Sequence, residues 1–234
     1  MTCQYAFAMP KPKQWTDQVE LVEDLKGCRW ELRSSKPPPT DWKRTIKEWV
    51  GANTFRAFRH MPEKPSKVFR EWAFEALVRR HGFQELLSIK SRGNYDKWLH
   101  HLAADFRSRW KSKMGREISF GPSLKLPNLL MKGVCGLHEI PEATYKRLVW
   151  YLHVPLDSYS IQAVRNCIDE GLKRQIGYIP SPAGMGFVTT PEVYDGLQQA
   201  IRLLAKKAKV PPIALDILAW DHAHPKKAKD KKGK

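Results

Sequence analysis

The chain has 234 residues, of which 42% are hydrophobic and 11% aromatic, and this composition excludes a protein that is disordered throughout. Its length is sufficient for one large domain or for two small lobes around a shared core. The formal net charge is +17, and only a net +5 of it comes from the last ten residues. A positive charge of this size favours a polyanionic partner, because basic residues release counterions from phosphates.

The first 40 residues are predicted to form an N-terminal arm. Prolines at positions 10, 12 and 37–39 interrupt any long element there. The alternation within residues 28–33 fits either a short strand or an extended segment. Thr40 or Asp41 then caps a helix that runs to about Val50 and ends at Gly51.

Amphipathic helices are predicted between residues 66 and 116. Ser66 begins the first, whose apolar residues recur every three or four positions until His81-Gly82 ends it. A short helix follows, and after a turn at residues 91–94, Asn94 caps a longer helix with a strongly basic far end. A basic helix C-terminus suits the helix dipole and by itself indicates no ligand.

A helix that begins at Phe120 carries Lys132. Its apolar stripe lies on the side opposite Lys132, and for this helix alone the simplest interpretation of the lysine side is a solvated surface. Gly133 and Gly136 would nonetheless let a backbone or a sugar approach closely. The lysine side comprises Lys125, Asn128, Leu129, Lys132, Cys135 and Gly136.

The next helix is followed by a tight turn, H-V-P-L at residues 153–156, because Pro155 cannot continue a helix. Asp157 or Ser158 caps the helix after it. A plain N-cap is worth about 1 kcal/mol and needs no further role.

The C-terminal third is also predicted to be helical. After a loop at residues 177–190, Thr190 with Pro191 begins an amphipathic helix. A last helix, at about 213–220, places Asp216 and Trp220 four residues apart on one face. The basic stretch 225–234 is predicted to be a disordered tail. The predicted architecture is therefore all-α, with a helical domain at 41–224 that has two lobes and a cleft.

Four cysteines, at positions 3, 28, 135 and 167, form no C-x-x-C pair, and no signal peptide is recognisable. We therefore expect reduced thiols in an intracellular protein of the cytoplasm, nucleoid or nucleus. Cys135 and His138 are three apart, but no second pair follows, so we expect no metal and no cofactor. No apolar run could span a membrane, and we expect a monomer.

Three short motifs occur in order: N-L-L-M-K ending at Lys132, V-P-L-D ending at Asp157, and D-I-L-A-W from Asp216 to Trp220. Together they resemble the helix-hairpin-helix DNA glycosylase superfamily, and most closely its archaeal-type 8-oxoguanine DNA glycosylases. The resemblance covers about 121–220. Two family features are missing: the glycine-rich L-P-G-V-G hairpin between the lysine and the aspartate, and an assignable N-terminal glutamine that reads oxidised guanine.

The resemblance implies a two-lobed helical fold with a cleft for double-stranded DNA that contains a modified base. Lys132 would be the nucleophile and Asp157 its charged partner, while Asp216 and Trp220 would hold the extruded base. The expected DNA contacts are Lys125, Asn128, Gly133, Gly136 and Ser158.

The chemistry of the glycosidic bond explains these residue types. An amine that attacks C1′ displaces the base and leaves a Schiff base, from which the 3′ phosphate can be eliminated. The amine must be neutral, whereas only roughly one lysine in two thousand is neutral at pH 7, so a closed and desolvated cleft is required. An ionised Asp157 at a helix N-terminus can stabilise the cationic sugar.

Three alternatives stay open. A monofunctional glycosylase for an alkylated or hypermodified phage base would use Asp157 to activate water and Lys132 only to contact phosphate. A non-catalytic helical module would bind DNA or RNA through its basic surface. A ribonuclease using the histidines at positions 100–101, or at 222 and 224, has the least support, because paired histidines on a basic surface are usually solvated.

Overall fold

The computed structural model describes residues 13–33, 41–51, 54–55, 58 and 60–225. Within these ranges the protein is all-helical, with eleven α-helices and no strand, as the sequence predicts. A π-helical turn, Glu75–Arg79, continues α3, and a 3₁₀ turn, Met185–Phe187, precedes α10. The α-helices are α1 (Gln18–Gly27), α2 (Trp42–Trp49), α3 (Pro65–Phe74), α4 (Gly82–Ser88), α5 (Arg92–Met114), α6 (Phe120–Cys135), α7 (Glu142–Leu148), α8 (Ser158–Val164), α9 (Glu170–Ile176), α10 (Pro191–Ala208) and α11 (Ala214–Ala223).

Side-chain caps define several helix starts. The side chain of Asp41 accepts a backbone N–H from the first turn of α2, and that of Thr190 does the same in α10, so both predicted starts are confirmed. α5 begins earlier than predicted. Its cap is Ser91, whose hydroxyl accepts the backbone N–H of Asn94. The predicted turn at 91–94 is therefore mostly the first turn of this helix.

A helix that the sequence analysis does not predict, α1, lies within the N-terminal 40 residues. Asp17 caps it by accepting two N–H groups of the first turn, and Leu21 and Leu25 are buried. The helix packs against α10 and α11, so this part of the N-terminal segment belongs to the core. Residues 28–33 form neither helix nor strand.

The buried hydrophobic side chains form two clusters. The first, here called the C-terminal cluster, is built mainly from α1 and α8 to α11. The second, the central cluster, is built mainly from α2 to α7 and includes the contacting rings of Phe69, Trp72, Phe106 and Trp110. Each such ring contributes on the order of 2 kcal/mol through burial.

Helix α6 takes part in both clusters. Leu124 packs in the C-terminal cluster, whereas Leu126 and Leu130 pack in the central cluster. Lys125 and Lys132 are on the same helix and therefore lie near the boundary between the clusters, where α8 and α11 reach them. This boundary positions the candidate site.

Candidate functional site

The two lysines of α6 lie seven residues apart, which is about two helical turns, so they project from one side of the helix. This side is not the solvated surface that the helix pattern alone suggests. Asn128 and Cys135 are fully buried on it. The side chains of Lys125 and Lys132 are 16% and 28% exposed. α6 is buried nearly all round because both clusters pack against it.

Each lysine makes an ion pair with a different aspartate. The Nζ of Lys132 lies 2.6 Å from Oδ2 of Asp216, and the Nζ of Lys125 lies 3.2 Å from Oδ2 of Asp157. Asp157, predicted as the charged partner of Lys132, therefore pairs with Lys125 instead. The two lysines are separated by about 10 Å along α6. The start of α8 lies beside Lys125, whereas α11 lies beside Lys132.

Asp157 is the N-cap of α8, as the V-P-L-D turn predicts. Its Oδ1 accepts the backbone N–H of Tyr159 at 2.9 Å and that of Ser160 at 3.2 Å. The hydroxyl of Ser160 in turn accepts the N–H of Asp157 at 2.9 Å, which completes a capping box. One carboxylate oxygen thus orients the side chain on the helix, and the other binds Lys125.

Asp216 is 9% exposed, and several charges act on it at once. Burial raises the pKa of this carboxyl group above its ordinary value, and the negative charge of Asp157 adds to the rise, while Lys132 and Lys125 oppose it. Two amines and two carboxylates are therefore close enough to influence one another. The structure brings together the predicted residues Lys132, Asp157 and Asp216, and it adds Lys125 as a direct member of the site.

Trp220 lies one turn after Asp216 on α11 and is 51% exposed. Its ring stacks on that of His224 with 4.0 Å between centroids, and it meets the ring of Tyr159 edge-on at 5.6 Å. Tyr159 is two residues after Asp157. An exposed aromatic surface therefore lies beside the charged groups, where an unpaired base could stack.

Comparison with known proteins yields no family. No protein-family model, curated protein or solved structure matches the chain.

The cysteine thiols and the potential metal ligands in the described part of the chain give no competing site. Burial raises the pKa of Cys28 to about 11 and that of Cys135 and Cys167 to about 12, so these free thiols stay protonated. Within the same residues no group of three or more His, Cys, Asp or Glu could hold a metal ion. None of the helices there is both long and apolar enough to cross a bilayer.

The small residues beside Lys132 are explained by contacts within the protein. A Cβ added to Gly133 would lie 2.2 Å from the ring of Trp49, and one added to Gly136 would lie 2.7 Å from the carbonyl oxygen of Leu32. The close approach predicted for a DNA backbone or sugar is therefore made by Trp49 and by the backbone of Leu32. DNA contacts by the two glycines stay predictions.

Two other predicted DNA contacts differ in their surroundings. Asn128 is fully buried, so its side chain cannot reach DNA. The predicted contact between Asn128 and DNA is therefore wrong. Ser158, the first residue of α8, is partly exposed next to Asp157 and stays a candidate. The tail predicted at 225–234 lies, apart from its first residue, outside the described residues.

Asn128 begins a chain of hydrogen bonds that the sequence analysis misses. Its Nδ2 donates to the hydroxyl of Tyr194 at 2.8 Å, and that hydroxyl lies 2.8 Å from Nδ1 of His153. The Nε2 of His153 lies 2.8 Å from the carboxylate of Asp96. If Nε2 donates to Asp96, every donor meets an acceptor, and Tyr194 donates to Nδ1. The chain fixes α6 against α10 and α5 between the two lysines.

Proposed function

We propose that the chain is a DNA N-glycosylase with AP-lyase activity that extrudes a modified base and removes it through a Schiff base on Lys132. Oxidised guanine is the base that the family resemblance implies. The observation that carries the proposal is the gathering of two amines and two carboxylates, from α6, the start of α8 and α11, in one partly buried site. Its members are Lys125, Lys132, Asp157 and Asp216.

Lys132 is favoured over Lys125 as the nucleophile by two features. Its side chain is the more exposed of the two, so a deoxyribose can reach it. Its partner Asp216 is the carboxylate whose pKa burial raises, which makes it the better proton acceptor of the two carboxylates. Lys125 instead faces a carboxylate that already accepts two amide hydrogens of α8.

Asp157 supplies a fixed negative charge to the site. The amides of α8 and the amine of Lys125 hold its carboxylate in one position, and its charge acts on Asp216. A preorganised carboxylate stabilises the positive charge that develops on the sugar when the glycosidic bond breaks. This role does not require Asp157 to contact Lys132.

The position of the site supports a two-lobed glycosylase fold. Lys132 is on the part of α6 that packs in the central cluster, whereas Asp157 and Asp216 are next to residues of the C-terminal cluster. A cleft between two lobes would run along such a boundary and would exclude water when DNA binds. The helix-hairpin-helix assignment is part of the proposal.

Borohydride trapping on a duplex with an abasic site tests the mechanism, because it needs no knowledge of the excised base. We expect wild type to form a covalent protein–DNA adduct and Lys132→Gln to lose it. Lys125→Gln removes the other amine of the site, which holds Asp157, so its adduct should be weaker but present. Lys146→Gln, which removes an exposed amine paired with Glu142 on α7, is the control and should keep the wild-type adduct. The reverse pattern would make Lys125 the nucleophile. If wild type forms no adduct, the Schiff-base proposal fails.

A panel of duplexes, each with one modified base, identifies the substrate. Release of a base with direct strand cleavage supports the bifunctional enzyme. Duplex affinity should also fall steeply with salt, with a log–log slope of about −0.9 for each phosphate contact. An affinity that is insensitive to salt contradicts a duplex substrate.

A monofunctional glycosylase is the second candidate. It is favoured by one observation: both amines already have a carboxylate partner, which suits a permanently charged lysine that contacts phosphate. Under this alternative, strands in the base panel break only after alkali and no adduct is trapped. A non-catalytic binding module predicts affinity without base release from any duplex.

A further inference from the structure

Asp216 is the direct partner of Lys132, although the family resemblance gives it only the task of holding the base. We propose that Asp216 is a proton carrier that takes a proton from Lys132 before the amine attacks and passes it to the departing base. This inference rests on the proposed glycosylase function and deepens it.

The contact between the two residues is suited to proton transfer. The Nζ of Lys132 donates a hydrogen bond of 2.6 Å to Oδ2 of Asp216. A proton can move along such a bond with little movement of heavy atoms. The Asp216 side chain is 11% exposed and that of Lys132 is 28% exposed, so little water competes for either group. Bound DNA would cover much of the remaining exposure.

Burial favours the state in which the proton is on Asp216. Desolvation is the largest cause of the raised pKa of this carboxyl group, and it outweighs the opposing charge of Lys132. When DNA displaces the remaining water, a neutral amine beside a neutral acid costs less than an ammonium beside a carboxylate. Closure of the site on DNA therefore produces the nucleophile.

Charges from the surrounding helices act on this pair. Lys132 and Lys125 of α6 favour the ionised carboxylate, and Asp157 at the start of α8 favours the acid. α1 and α10 also pack against α11. Asp24 of α1 faces His222 at 3.7 Å, and Lys207 of α10 binds a side chain of α1.

Asp157 is less suited to this task. One of its oxygens accepts two backbone amides of α8, and the other faces the amine of Lys125. Within the described part of the chain, the carboxylate of Asp216 accepts no backbone N–H although it lies in the first turn of α11, and it accepts its hydrogen bond from Lys132. In this proposal Asp157 is a carboxylate held in a fixed position, and Asp216 is the group that exchanges a proton with Lys132.

Asp216 is also well placed to meet the base. Trp220, the proposed stacking platform, is one turn away on the same helix.

In the step we propose, the Lys132 ammonium gives one proton to Asp216, and the neutral nitrogen forms a bond to C1′. The C1′–N bond breaks, its electron pair goes to the base, and the acid of Asp216 protonates that base. The carboxylate is restored, and the net change is one proton moved from the lysine to the base.

The first test measures adduct formation on an abasic-site duplex between pH 6 and 9. There is no base to protonate in this substrate, so only the loss of the lysine proton is examined. In Asp216→Asn the neutral fraction of an ordinary lysine rises about tenfold per pH unit, so the rate should rise in the same way. Wild type should change by less than about threefold over that range, and at pH 7 it should exceed the variant by about tenfold or more.

The second test measures base release from the modified duplex that wild type cleaves. Here Asp216→Asn lacks both the proton acceptor and the proton donor, so release should fall further than adduct formation does, and raising the pH should not restore it. Asp216→Glu keeps a carboxylate and should retain the flat pH profile at a lower rate. Asp221→Asn, an exposed carboxylate on the same helix, is the matched control and should behave as wild type.

Each outcome decides the inference. If Asp216→Asn keeps the wild-type rate and profile, or loses activity equally at every pH, Asp216 is not a proton carrier. A wild type that forms no adduct contradicts the Schiff-base mechanism on which this inference rests. Circular dichroism of each variant separates these results from a failure to fold.

Discussion

Lys132 and Asp216 are 84 residues apart in the chain, and the fold brings the amine of one to 2.6 Å from the carboxylate of the other. The contact joins α6 to α11 across the boundary between the two hydrophobic clusters. It also reassigns the charges of the site, because Asp157 is left to pair with Lys125. Such a buried pair is a weak source of stability but is costly to break on one side only.

Lys132→Met tests this cost through its dependence on pH. The variant leaves a buried carboxylate without its cation, so we expect a loss of about 2 kcal/mol at pH 8, less than for a fully buried pair because Lys132 is partly exposed. Removal of the cation raises the pKa of Asp216 further. Because this pKa is higher in the folded state than in the unfolded state, the folded state gains stability as the pH falls towards the pKa. The loss of unfolding free energy in Lys132→Met should therefore be smaller at pH 5 than at pH 8.

Urea unfolding at the two pH values measures this change. Lys146→Met is the control, since Lys146 pairs with Glu142 on the surface of α7 and should lose less than about 0.5 kcal/mol. An equal loss by Lys132→Met at both pH values contradicts the prediction.

Gly133→Ala tests the contact between α6 and α2. The added Cβ would lie 2.2 Å from the ring of Trp49, so we expect a loss of about 1–3 kcal/mol in unfolding free energy. Gly93→Ala places the same methyl group in α5 with nothing within 4 Å and should be neutral or stabilise by up to about 1 kcal/mol. Equal effects of the two substitutions on chemical denaturation would show that Trp49 does not constrain Gly133.

Tyr194→Phe tests the buried chain of hydrogen bonds. It removes the hydroxyl that joins Asn128 to His153 and leaves a buried donor and a buried ring nitrogen without partners, so we expect a loss of about 2 kcal/mol. Tyr178→Phe is the control, because Tyr178 is 79% exposed, and it should be neutral. Thermal unfolding of the two variants gives the comparison, and a neutral Tyr194→Phe would refute the importance of the chain.

Trp220→Ala separates base binding from the chemistry of the lysine. Because the ring is half exposed, we expect little loss of stability, whereas a lost stacking contact of about 1–3 kcal/mol should slow base release roughly 5-fold to 150-fold. Adduct formation on an abasic-site duplex has no base to stack and should change little. Equal losses on both substrates would mean that Trp220 supports the site in another way.

The helical periodicity and the caps predict much of the fold. The starts of α2, α6 and α10 and the cap at Asp157 follow from local sequence, because each depends on residues within one or two turns. α1 is not predicted because the prolines on either side of it indicate a segment without long helices, although Asp17 is an ordinary N-cap residue. The sequence predicts the N-cap of α5 three residues too late, because Gly93 in its first turn is typical of a turn between helices.

The members of the site are partly predictable, and their pairing is not. Lys125 and Lys132 share a face by their seven-residue spacing, and this signal could have identified a site with two amines. Which aspartate meets which lysine depends on how α8 and α11 pack on α6, and this long-range packing leaves no local pattern. The buried chain of hydrogen bonds from Asn128 to Asp96 also depends on long-range packing and is not predictable from local sequence.

The division of α6 between two hydrophobic clusters has a consequence for how the charged site is assembled. Lys132 is next to residues of the central cluster and Asp216 is next to residues of the C-terminal cluster, so a chain with only one cluster formed lacks this pair. The ion pair between Lys132 and Asp216 can therefore form only after α6 and α11 have packed against each other.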